Sequence, residues 1–151
     1  VIPDLVQLFE RAYRRMPEAR CFAPDGRGEQ WTTYVGRLVQ TPACGRFQHT
    51  LSLVAETPGG ELAGAVLVTA LADRTAHIAQ MAVAVEHRKQ GLGNRLVRSV
   101  CERARKARYD RVTLLVAQSN GPARRLYRRL GFEPTARFLF AERDARMGNG
   151  R

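Results

Sequence analysis

The sequence predicts an α/β domain in which helices pack against a mixed, mostly antiparallel sheet, and three features carry that prediction. Three apolar, β-like stretches at 48–56, 61–70 and 76–85 follow one another through connections short enough to demand antiparallel neighbours. A helix-like stretch at 93–106 then leads into another β-like run at 111–116, and a helix between consecutive strands implies a parallel crossover. The 151 residues suffice for one core-burying domain over 1–151, with no repeat, low-complexity segment or interdomain linker to divide them.

Each element has a local reason. Residues 4–15 carry Leu5, Leu8, Phe9 and Ala12 at helical spacing, between Pro3 and Pro17 as boundary marks. A loop at 20–30 precedes a second expected helix at 31–40, closed by Thr41-Pro42. Thr57-Pro58-Gly59-Gly60 is a strong turn signal joining the first two strands as a hairpin, and a looser turn at 71–75 leads into the third. The helix at 93–106 is expected to bury Leu96, Val97, Val100, Cys101 and Ala104. After 111–116, Pro122 falls in the first turn of a last helix, where its missing N–H costs nothing, and Gly131 stands just past the end. Residues 137–143 (RFLFAER) read as a final strand and 147–151 as a disordered tail. Val1 is not a start residue, so the chain is expected to be trimmed or part of a longer one.

Composition narrows the class. Hydrophobic residues at 44% and charged residues at 26% are ordinary for a soluble globular protein. No run approaches the ~18 apolar residues that span a bilayer, and signal-peptide grammar is absent. Cys21, Cys44 and Cys101 are odd in number and lack Cys-x-x-Cys spacing, which points to a reducing, cytoplasmic setting without a metal site. The net charge of +11 is concentrated: 13 Arg or Lys stand against three acidic residues between Glu86 and Leu130. Such a field draws in polyanions, and a solvated arginine-rich surface would look the same.

Between the third β-like run and the helix at 93–106 stands Arg88-Lys89-Gln90-Gly91-Leu92-Gly93. A turn that opens a helix leaves its first N–H groups without intrahelical partners at the positive end of the macrodipole, and a phosphate can take those bonds. Glycines at 91 and 93 allow a concave nest of N–H groups without β-carbons in the way, while Arg88 and Lys89 are expected to add charge at the rim. A nucleoside-triphosphate loop would need Gly-Lys-Ser/Thr, but Gly93 is followed by Asn94-Arg95. A dinucleotide fingerprint would need a third glycine where Leu96 stands.

Downstream, Asn120, Ala123, Tyr127 and Leu130 fall on one helical stripe ahead of Gly131-Phe132. Arg-x-x-Gly-x-Gly after a strand, then Asn-x-x-Ala-x-x-x-Tyr-x-x-x-Gly-Phe after one more helix and strand, closely resembles the GNAT superfamily of acetyl-CoA-dependent N-acetyltransferases. The resemblance covers roughly 48–140 and is strongest at 77–132. It implies a GNAT fold with two central strands splayed at a CoA cleft, and acetyl transfer to a primary amine by direct attack in a ternary complex. It further implies that Arg88, Lys89, Gln90, Gly91, Leu92, Gly93 and Asn94 cradle the CoA pyrophosphate. Met81, Ala82 and Val83 would pair with the pantetheine amides like an added strand. GNAT chains usually open with a strand before the first helices, and none is legible here.

The resemblance makes Tyr127 the acid. A phenol with a reference pKa near 10 stays protonated at neutral pH and can donate to a departing thiolate, a role typically worth ~10²–10⁴ in rate. Asn120 is either a cofactor contact or the helix N-cap. Where families of this kind place a basic glutamate, this chain has His77 and Leu115. His77 has a reference pKa suited to accepting the ammonium proton, while His49, Glu56, Glu86 or a water chain are alternatives. The implied partners are acetyl-CoA and an amine acceptor, small molecule or peptide, with no membrane and a homodimer left open. Two competing readings are a basic domain that binds nucleic acid and a catalytically silent acyl-CoA-binding relative.

Overall fold

The computed structural model describes residues 2–42 and 44–139. The chain runs through α1 (Ile2–Tyr13), a 3₁₀ turn (Pro17–Cys21), α2 (Gly28–Gln40), β1 (Arg46–Phe47), β2 (Leu53–Glu56), β3 (Leu62–Ala72), β4 (Thr75–Val83), a second 3₁₀ turn (Val85–His87), α3 (Leu92–Lys106), β5 (Arg111–Leu114) and α4 (Gly121–Arg129). In the sheet β3 lies between β4 and an edge shared by β1 and β2, and β5 flanks β4 on the far side. All pairs are antiparallel except β4–β5, the parallel pair joined through α3.

The period-2 alternation of β3 splits the core in two. Ala65 and Leu67 face α1 and α2, whose Leu8, Phe9, Trp31, Val35 and Leu38 cover them. Val66 and Val68 face the other way, against Leu96, Val97 and Val100 of α3 and Tyr127 of α4. β3 is buried on both faces over most of its length, which is why its sequence reads as a continuous apolar run rather than an alternating one. Phe9, Tyr13, Phe22, Trp31 and Tyr34 form one aromatic cluster with ring centroids 5.0–6.0 Å apart. Aromatic pairs in this range hold each other's orientation beyond simple burial. No described helix is long and apolar enough to cross a membrane.

Several boundaries differ from the sequence expectation, each for a physical reason. The stretch at 48–56 is two short strands separated by a turn rather than one. Ser52 Oγ takes the Val68 N–H at 3.0 Å and donates to Gln48 O at 2.9 Å, so a side chain replaces a ladder bond while Leu51 is buried beneath. α2 begins at Gly28, ahead of the expected 31. β4 ends at Val83, because Ala84 leads into the 3₁₀ turn. β5 stops at Leu114, leaving Leu115 70% exposed. Residues 137–139 are not in a strand; the rest of the strand expected at 137–143, and the tail at 147–151, lie outside the described residues. No strand precedes α1 among the described residues.

One irregularity positions the site. The β3–β4 register shifts between the Leu67↔Gln80 and Val68↔Ile78 pairs, so Ala79 is an extra residue on β4. Such a bulge reassigns faces. Ile78 and Met81 both pack on the α3 side, while His77 and Gln80 become successive positions on the α1–α2 side.

Candidate active site

β4 is paired on its β3 edge to its end, but β5 accompanies it only over Thr75–Ile78. Beyond Leu114 the chain leaves the sheet on its way to α4, and the second half of β4, Ala79 to Val83, faces a gap. Ala84 N–H donates to Ala63 O at 2.9 Å, so by alternation the main chain of Ala82 also points into the β3 ladder, whereas that of Met81 and Val83 points into the gap. Of the three residues expected to pair with a cofactor, the structure therefore turns Ala82 away. Both gap-facing carbonyls have side-chain partners. The Tyr13 hydroxyl donates to Met81 O at 2.8 Å, and Arg88 Nε donates to Val83 O at 3.1 Å.

The gap leads to the bare N-terminus of α3. Gly91 is its N-cap with φ 78°, no side chain caps the helix, and the first intrahelical bond is Arg95 N–H to Gly91 O. The N–H groups of Leu92, Gly93 and Asn94 thus precede the first turn's bonding. Lys89 is also left-handed at φ 59°, and Gln90 folds its amide back to Glu86 O at 3.0 Å, so this side chain does not fill the nest. A β-carbon on Gly91 would meet nothing within 4 Å, but one on Gly93 would sit 2.9 Å from Met81 Cε and 3.4 Å from Leu126 Cδ2. Glycine at 91 serves the turn. Glycine at 93 lets the helix lie close against the Met81 and Leu126 side chains. The rim charge expected at Arg88 is likewise redirected: besides Val83 O, its Nη2 donates to Ala12 O at 2.8 Å and braces the end of α1 against the loop.

α4 delivers Tyr127. Asn120 caps this helix, its Oδ1 accepting from Ala123 N–H at 3.1 Å and its Nδ2 donating to Glu18 Oε1 at 3.0 Å. At the other end Gly131 is left-handed at φ 86°, and Phe132 N–H returns to Tyr127 O at 3.0 Å. In this Schellman arrangement the residue past the glycine packs on the one that receives its bond. The Phe132 and Tyr127 rings meet edge-on at 5.8 Å. The Tyr127 hydroxyl lies 3.2 Å from Met81 Sδ, and burial pushes its pKa up to about 12. Burial, with Tyr127 as the next cause, also raises that of Tyr13. Two protonated phenols therefore bracket Met81, one on its sulfur and one on its carbonyl.

His77 is not part of that group. It lies on the opposite face, in the paired half of β4, with Nδ1 2.9 Å from Thr113 Oγ1, and burial lowers its pKa. Thr113 Oγ1 in turn donates to Ala76 O at 3.4 Å. The structure brings together Met81, Val83, Gly91, Gly93, Asn94 and Tyr127. It adds Tyr13, while Tyr34 and Gln80 meet on the His77 face of the strand; sequence reasoning left all three unassigned. The signal for Gln80 was present: it is the one polar residue in Ile78-Ala79-Gln80-Met81-Ala82-Val83. A cavity of about 490 Å³ lined by Arg46, Arg74, Arg108 and Tyr109 lies at the other end of β4, away from these groups.

The family model described as "Acetyltransferase (GNAT) family" matches residues 3–132. Among solved structures, a putative acetyl transferase from Pyrococcus furiosus is similar at TM-score 0.66 and 23% identity, over 95% of this chain and 93% of that one. A GNAT family acetyltransferase from Elizabethkingia anophelis, solved with acetyl-CoA bound, is similar at TM-score 0.53 and 25% identity, over 56% and 55% of the two chains. Nourseothricin acetyltransferase is 35% identical over 52% of this chain at TM-score 0.49, and the match spans about half, 47%, of that protein. A search of the curated proteins finds no match.

Proposed function

Since the chain belongs to the GNAT family of acetyltransferases, we propose that it moves an acetyl group from acetyl-CoA to a primary amine by direct attack within a ternary complex. The observation that carries the reading is the open half of β4, which ends at the uncapped N-terminus of α3 with the Tyr127 hydroxyl beside it. The N–H groups of Met81 and Val83 would hold the pantetheine arm, and those of Leu92, Gly93 and Asn94 the pyrophosphate, as helix N-termini hold anions generally. The bound thioester supplies the activated acyl group. A preorganised N–H at its carbonyl would be worth roughly 3–4 kcal/mol in a dry site.

Tyr127 is the proton donor in this reading. Among the described residues its hydroxyl bonds a weak thioether acceptor, and its raised pKa keeps it protonated across the physiological range. His77 would act from the other face as the base, its lowered pKa keeping it neutral and able to accept a proton near pH 7. The test is mass detection of acetylated products from a panel of amines, together with Tyr127→Phe. The variant should lose about 10²-fold in kcat with acetyl-CoA affinity little changed. Full activity in that variant would remove Tyr127 as the acid, and no product from any amine would remove the transfer reading.

A further inference from the structure

Gln80 is 3% exposed and points toward α1 and α2. Its β3 partner is Leu67, and that of His77 is Thr69; with Ala79 bulged out, His77 and Gln80 are consecutive same-face positions about 7 Å apart. The Tyr34 hydroxyl, held by the aromatic cluster, donates to Gln80 Oε1 at 3.0 Å. That bond fixes the amide plane and turns Nε2 away, where it is buried and has no hydrogen-bond partner among the described residues. An unpaired buried donor of this kind is costly, and an apolar side chain among Ala65, Leu67 and Ala82 would avoid that cost. Along β4, Gln80 stands two residues past Ile78, the last one paired with β5, and its side chain is on the face opposite Tyr127.

We infer that Gln80 selects the acceptor: its Nε2 donates to an uncharged oxygen, hydroxyl or carbonyl, carried by the amine substrate. This rests on the acyl-transfer reading and narrows the substrate class within it. An uncharged oxygen fits because one neutral amide donor cannot offset the desolvation of a buried carboxylate. The donor's own acyl carbonyl is the rival source of such an oxygen. The position of Gln80 across the sheet from Tyr127 assigns the bond to the acceptor instead.

The experiment observes the Gln80 side-chain amide by ¹⁵N NMR in the full chain, assigned by its disappearance in Gln80→Leu. Amino alcohols and amino amides, titrated with and without CoA, should shift this resonance. Alkylamines of the same length without the oxygen should not, nor should acetyl-CoA alone. Gln80→Met keeps the length of the side chain and removes the donor. It should weaken binding of oxygen-bearing amines about 10-fold and leave acetyl-CoA affinity within about two-fold. A shift caused by acetyl-CoA alone, equal weakening of both amine classes, or no shift with any amine overturns the assignment. Binding of oxygen-bearing amines at Gln80 without any turnover would sink the transfer reading while leaving this site standing.

Discussion

The two halves of β4 differ in one respect that governs everything else. From Thr75 to Ile78 the strand has a neighbour on each side, and its main chain is consumed in ladders. From Ala79 to Val83 it keeps β3 but loses β5, and its outward groups must find other partners. Tyr13 and Arg88 take the carbonyls there. The N–H groups face the gap, which is the edge-strand condition that elsewhere invites aggregation and here offers a place for an extended ligand. Pairing buys stability in the first half, and its interruption makes a binding edge in the second.

The largest way to break the comparison is Tyr127→Phe, which leaves the edge intact and removes the proton donor. The loss of about 10²-fold in kcat, roughly 2.7 kcal/mol, should appear in turnover and not in acetyl-CoA affinity. Next is Gly91→Ala. Nothing crowds that position, so the cost is left-handed strain of about 1–2 kcal/mol, accompanied by acetyl-CoA binding about 10-fold weaker as the nest relaxes. Thermal melts and calorimetric titration read the two effects separately. Smaller again, Tyr13→Phe removes the bond to Met81 O and should lower stability by about 1 kcal/mol without weakening acetyl-CoA binding, since it frees a gap-facing carbonyl.

The smallest effect is a pH dependence belonging to the paired half. His77 has a folded pKa below its ordinary 6.5, so the unfolded chain binds the extra proton first. Its contribution is intact above about pH 6.5 and is lost as pH falls through and below that value. Melting temperature measured from pH 7.5 to 5 should therefore fall more steeply in the wild type than in His77→Asn.

The parts of this site visible in the sequence were those whose determinants lie close together along the chain. The turn at 88–94 and the helix at 120–132 each carry their own caps, glycines and charges within a few residues. The bulge at Ala79 was not visible, because nothing in Ile78-Ala79-Gln80 distinguishes an extra residue from a regular one; the packing of β3 and two helices decides it. Tyr13 meets Met81 across 68 positions and Tyr34 meets Gln80 across 46, separations at which spacing arguments carry no information. Arg88 was readable as a cation but not as a brace, since its partners at Ala12 and Val83 appear only once α1 is docked. At Gly93 the sequence showed only that a β-carbon is unwelcome; that Met81 and Leu126 stand where it would point appears only once α3 is packed on β4 and α4.

Amide hydrogen exchange followed residue by residue, with and without acetyl-CoA, puts the difference between the two halves to its most direct test. Exchange should slow at Met81, Val83, Leu92, Gly93 and Asn94 and stay unchanged over 75–78. Protection confined instead to the arginine-lined cavity around Arg46, Arg74 and Arg108, or no change at residues 81 and 83, would contradict the account.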